Sequence, residues 1–174
     1  MASASGERYN PGIAMSSDIR FYSPTMGRMT FEEVADEVVA ALEEDTDSSY
    51  QIIVGTDSHA NLGDLDFVSA IILHHVGKGG RYFWRRERET TLHTLRQKIW
   101  KETMLSFELA KSLMQALQDR TPLDYNLEIH IDVGERGPTK ELIDEVVGMI
   151  IGSGFAVKTK PDAYGASTVA DKHT

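Results

Sequence analysis

Three aspartates in this 174-residue chain sit where strands should end or just beyond, and that placement is where chemistry would start. Asp57 comes after Ile52-Ile53-Val54, Asp132 ends Ile129-His130-Ile131-Asp132, and Asp162 follows Lys158-Thr159-Lys160-Pro161. A carboxylate set into apolar sequence is costly to bury unless its charge is offset, and a hard divalent cation with oxygen ligands offsets it. Mg²⁺ or Mn²⁺ held by such a set is suited to cleaving a phosphodiester. A lone aspartate at a strand end is more often turn or cap chemistry, and Asp57-Ser58 taken alone could be that. The coincidence of Asp57 and Asp132 after separate apolar runs favours metal ligands for those two.

Another carboxylate should come from a helix. Of the two candidates on the long helix expected over residues 92–117, Glu102 lies roughly 80° from the centre of the apolar stripe and Glu108 roughly 160° away. Glu102 can therefore lean toward the strand ends, although a salt bridge to Lys98 or Lys101 is its structural alternative. For the last position Asp162 and Asp171 compete. Asp162 follows a strand directly and could equally cap a helix, whereas Asp171 sits about two turns into that helix. His130 shares a strand face with Asp132 and is a ligand or a core residue, and His59 follows Asp57 by two residues and could orient a water or shuttle a proton. Ordinary core or surface roles are the commoner account of both and of His173. Arg85, Arg86 and Lys160 are the candidates for holding a phosphate backbone.

These side chains need a scaffold. Residues 1–27, rich in Ser, Gly, Pro and Met without periodicity, read as a loose leader, and residues 28–174 as one domain. Thr30 and Glu33 have capping-box spacing, and Phe31, Val34, Val38 and Leu42 recur at helical intervals, which predicts an extra N-terminal helix. Apolar or alternating runs predict strands over 50–57, 66–76, 81–89, 126–133 and 155–160. Gly77, Gly79 and Gly80 should turn the second of these into the third as antiparallel neighbours. Helices are predicted over 92–117, over 138–151 and from 164 onward. The order β-β-β-α-β-α-β-α implies an α/β fold, a mixed sheet with helices on both faces.

The absence of cysteine excludes disulfides and thiolate metal sites and fits a reducing compartment. No apolar run reaches the roughly 20 residues of a bilayer span, and the polar start carries no secretion signal, so a cytoplasmic protein without membrane contact is expected. A formal net charge of −9 argues against tight, indiscriminate binding to duplexes. Positive charge is local, with Lys78, Arg81, Arg85, Arg86, Arg88, Arg96, Lys98 and Lys101 in one short segment. A solvated surface is the ordinary account of such a run.

Several motifs together carry a resemblance. Gly55-Thr56-Asp57-Ser58, His74-x-Val76-Gly77-Lys78-Gly79, Glu128-Ile129-His130-Ile131-Asp132-Val133-Gly134, Thr139-Lys140-Glu141-Leu142-Ile143 and Lys160-Pro161-Asp162-Ala163-Tyr164 resemble the YkuK-type family of bacterial proteins. The likeness runs from about Tyr22 to the carboxyl terminus with the motifs in order. It implies a ribonuclease H-like fold and a metal-dependent nuclease acting on RNA, DNA or a hybrid. It also implies that Asp57 bridges two Mg²⁺ or Mn²⁺ ions about 4 Å apart, joined by Glu102, Asp132 and either Asp162 or Asp171. The alternative is an RNase H-like binding or scaffold protein without catalysis, which the acidic charge favours. A phosphate-binding relative of actin-like ATPases, suggested by Asp132-Val133-Gly134, would need a second lobe that this length does not allow. A homodimer is compatible with the sequence, and nothing in it demands one.

Overall fold

The computed structural model describes residues 19–47, 49–92, 94–134, 137 and 139–173. Along the chain run β1 (Arg20–Ser23), β2 (Gly27–Thr30), α1 (Phe31–Glu44), β3 (Tyr50–Asn61), β4 (Asp64–His75) and β5 (Gly79–Glu89). They are followed by α2 (Leu95–Gln118), β6 (Asn126–His130), α3 (Lys140–Gly152), β7 (Ala156–Lys158) and α4 (Gly165–His173). Helix α1 starts at the expected capping box. The Thr30 hydroxyl accepts from the Glu33 N–H at 3.1 Å, and the Glu33 carboxylate accepts from the Thr30 N–H at 2.6 Å. Phe31, Val34, Val38 and Leu42 all turn inward from it. A second reciprocal cap, Thr94 with Gln97, opens α2.

The strands form one mixed sheet in the order β2-β1-β5-β4-β3-β6-β7, in which β3–β6 and β6–β7 are parallel and the other pairs antiparallel. This is the α/β sheet expected from the order of elements. Alternation along each strand divides the core between its two faces. Ile52, Val54, Ile71, Leu73, Phe83 and Ile129 pack with α1, α2 and α3 in the main core. Val68 and Ala70 pack with Val169 and Ala170 of α4, backed by Ile72, Tyr82 and Trp84. Helix α4 lies close because the residues beneath it are small. A Cβ at Gly55 would stand 2.7 Å from Ala166 Cβ and 2.9 Å from the His130 carbonyl oxygen. One at Gly165 would stand 2.9 Å from side-chain carbons of Ile53 and Ile72.

Three boundaries differ from the sequence reading, for identifiable reasons. The expected leader contains the β1–β2 hairpin, which docks on β5 through Tyr22 opposite Trp84 and sends Phe21 and Met29 into the core. Four-residue strands are too short to register as a pattern, and residues 1–18 of that leader lie outside the described ones. The first two predicted strands are longer and meet at a tight turn in which Leu62 (φ 52°) and Gly63 (φ 96°) are both left-handed, as a two-residue hairpin loop requires. Asp57 is consequently mid-strand and does not close it. Strand β6 ends at His130, three residues early, because the chain tightens there into a turn in which the Val133 N–H donates to the Ile131 carbonyl at 2.9 Å. Among the described residues no helix is long and apolar enough to cross a membrane.

Candidate active site

The site is set by where β3 stops pairing with β6. Their parallel register runs from Gln51 opposite Asn126 to Gly55 opposite His130, and there it ends. Asp57 and Asp132 each stand two residues farther on, where β3 continues along β4 and the β6 chain turns. Strand β3 is also where the topology switches sides, since the chain leaves it for β4 and β5 and returns through α2 to β6. In open α/β sheets that crevice is where ligands bind. Alternation places Asp57 on the same face as Gly55, under α4, while Ser58 faces α2. The Ser58 hydroxyl donates to Glu102 Oε1 at 2.7 Å, which fixes the α2 carboxylate at the opening.

Burial makes these carboxylates costly. Glu102 has 6% of its side chain exposed, Asp57 14% and Asp132 15%. Desolvation pushes the Glu102 carboxyl up to about 7, with Asp57 and Asp132 adding to the rise and the Ser58 hydroxyl and Lys98 ammonium opposing it. Asp57 is also raised, chiefly by burial and then by Asp132, against the Ser58 N–H at 2.9 Å, His59 and Lys98. Two lysines partly compensate. Lys98 Nζ is 3.7 Å from Glu102, and Lys160 Nζ is 3.0 Å from Asp132 Oδ1 without hydrogen-bond geometry, so that buried oxygen is left without a bonded donor.

The remaining predicted residues divide. Asp171, on exposed α4, reaches the cluster through His59, whose Nε2 lies 3.6 Å from Asp57 and 3.8 Å from Asp171. Asp162 sits in an exposed turn after β7, its N–H donating to the Thr159 carbonyl. Arg86 lies on the Asp57 side of the sheet, in the row Asp57–Val68–Arg86 across β3, β4 and β5. Arg85 faces the opposite way. It is buried, with its guanidinium 5.8 Å from the Phe21 ring centre, so it is not placed to meet a substrate at the Asp57 face. Ser58 as a partner for Glu102 is not signalled by the sequence. Because Ser58 and His59 fall on opposite faces of β3, only a correct strand assignment reveals what each can touch.

Residues 33–174 match the family described as Ribonuclease H-like. The chain belongs to the ribonuclease H-like family. A relative in Bacillus subtilis (strain 168), described as "Uncharacterized protein YkuK", is 35% identical over 174 residues, an alignment spanning 92% of this chain and 99% of its own. No solved structure matches.

Glu102, Asp57 and Asp132 are all oxygen donors, the kind a hard divalent cation takes, and the Asp132 Oδ1 atom is left without a bonded donor. Among the described residues no three His, Asp or Glu side chains already stand close enough to cage an ion by themselves. Behind the site a buried pair ties β6 to α4. His130 Nδ1 accepts from the N–H groups of Tyr164 (3.3 Å) and Gly165 (3.4 Å), so its proton belongs on Nε2, which donates to Glu128 at 3.1 Å. Gln51 and Lys158 complete the Glu128 carboxylate. Burial lowers the His130 pKa, against the pull of Glu128, which keeps the ring an acceptor at Nδ1. His130→Ala should cost about 2–4 kcal/mol by stranding buried polar groups. His130→Asn, with Oδ1 near the Nδ1 position, should lose only part of that. Urea denaturation compares them, and equal losses would show that capping α4 contributes nothing.

Proposed function

We propose that this ribonuclease H-like protein is a metal-dependent nuclease that hydrolyses phosphodiester bonds at the crevice between β3 and β6. The observation that carries the reading is the set of mutually unfavourable carboxylates, Glu102 buried and Asp57 and Asp132 half-buried, where the two strands part. These three, with Asp171 or Asp162 as the last ligand, would hold Mg²⁺ or Mn²⁺, which supplies Lewis-acid stabilisation and an activated water when bound. The chain's own groups do the rest. Lys160 stands beside Asp132 and can shift to a substrate phosphate once Asp132 is otherwise engaged. His59 Nε2, between Asp57 and Asp171, is placed to orient a water or carry a proton. Helix α4 shields this side of the sheet from bulk water.

One observation favours a second reading, a binding protein without catalysis: Lys98 and Lys160 already stand beside Glu102 and Asp132, as in a site that neutralises itself. The two readings separate on incubation of the protein with end-labelled RNA, DNA and hybrid oligonucleotides in Mn²⁺, in Mg²⁺ and in EDTA. Cleavage of at least one substrate with either metal and none in EDTA is expected. Intact substrates under every condition, together with no calorimetric Mn²⁺ binding, would leave only the binding protein.

A further inference from the structure

The β1–β2 hairpin adds a surface to the sheet on the side where Asp57 lies. Register links Gly55, Ala70, Trp84, Tyr22 and Arg28 in one row across β3, β4, β5, β1 and β2, so all five share a face. The neighbouring row is Asp57, Val68 and Arg86. The Tyr22 and Trp84 rings lie 5.2 Å apart and tilted by 32°, and the Arg86 guanidinium sits 6.0 Å from the Trp84 ring centre. On its other side Trp84 stacks on His173 of α4 at 4.1 Å. Tyr22 ends this stack, 40% exposed, with Arg28 exposed beside it. Arg86 keeps donors to spare. Its nearest acid, Asp66, lies 4.0 Å away and is held more closely by Arg88 at 2.9 Å and Asn61 at 2.8 Å.

We infer that Tyr22, packed against Trp84 with Arg28 opposite it in register and Arg86 over the neighbouring Trp84 ring, is a docking platform for single-stranded nucleic acid. An exposed ring with guanidinium groups beside it and over its aromatic neighbour matches an unpaired base and its adjoining phosphates. A duplex offers no free base face, and the acidic remainder of the chain gives it little general attraction. With strands about 4.8 Å apart, Tyr22 lies three strands, on the order of 14 Å, from β3, with α4 covering the sheet between them, so a bound strand would run past the edge of α4. This inference rests on the nuclease reading for its purpose, but its test does not depend on cleavage.

Binding of a labelled oligothymidylate is measured by anisotropy in EDTA, where no hydrolysis occurs, with duplex DNA and inorganic polyphosphate as competitors. Wild type should bind the single strand at least tenfold more tightly than the duplex. Tyr22→Ala should weaken binding about tenfold, as losing one stacked base does, and Tyr22→Phe should restore it. Arg86→Gln should weaken binding and reduce its salt dependence by about one ion. Equal affinity for duplex, competition by polyphosphate as strong as by the oligonucleotide, or an unchanged Kd in Tyr22→Ala would each overturn the platform. The two readings fail separately. Binding through Tyr22 without cleavage in any metal removes the nuclease and keeps the platform, and metal-dependent cleavage indifferent to Tyr22→Ala does the reverse.

Discussion

Asp57→Asn should abolish the Mn²⁺ binding heat seen with wild-type protein and reduce any phosphodiester hydrolysis by more than about 100-fold. Losing an outer partner of a metal ligand costs 10–100-fold, so losing a ligand itself should exceed that range. Asn keeps the shape of the side chain and an oxygen that can accept from the Ser58 N–H, so the fold should survive. Stability should even rise slightly, because burial and Asp132 disfavour the ionised Asp57 that the variant removes. Calorimetric titration at one pH, paired with thermal unfolding, reads both effects. Undiminished Mn²⁺ binding in a stably folded Asp57→Asn would remove the central carboxylate from the site, and with it the argument from the β3–β6 crevice.

The parts of the fold legible in the sequence were those with local causes. The capping box at Thr30 and Glu33 placed α1 to the residue, and the apolar stripe placed α2, because hydrogen bonds and periodicity within a dozen residues decide both. Asp57 and Asp132 stood out because burying charge in an apolar run needs a reason, and Glu102 because it flanks the apolar stripe of α2. What was hidden depends on contacts between distant segments. The β1–β2 hairpin is fixed by Phe21 entering a core built from residues far along the chain, which no local pattern announces. Arg85 and Arg86 looked equivalent in the sequence. One residue of strand phase puts Arg85 against Phe21 and Arg86 in line with Asp57. The position of Asp171 depends on where α4 crosses the sheet, and that crossing depends on Gly55 and Gly165 having no Cβ.

Glu102→Gln should unfold at a higher temperature than wild type at pH 8 and at nearly the same temperature at pH 4. In the folded protein this carboxyl is raised from an ordinary 4.5 to about 7, so the folded state binds more protons than the unfolded chain between those values. Stability from this group therefore falls as pH rises through that window, and above about pH 7 the whole penalty, about 3 kcal/mol, is present. Gln removes the charge while its amide oxygen can still accept from Ser58, so the variant should gain up to that amount at pH 8, roughly 6–12 °C for a chain of this size. The sign separates a functional carboxylate from a structural one. Were Glu102 kept for its ion pair with Lys98, removing its charge would cost stability at pH 8. A group that weakens the empty fold is instead explained by a cation that repays it: Mn²⁺ should raise the unfolding temperature of wild type at pH 8 and leave Glu102→Gln unmoved. The same proton makes wild-type Mn²⁺ affinity decline as pH drops below about 7, since Glu102 must ionise to act as a ligand. A Glu102→Gln variant less stable than wild type at pH 8 would show that the α2 carboxylate is held by its lysine and not kept ready for a metal.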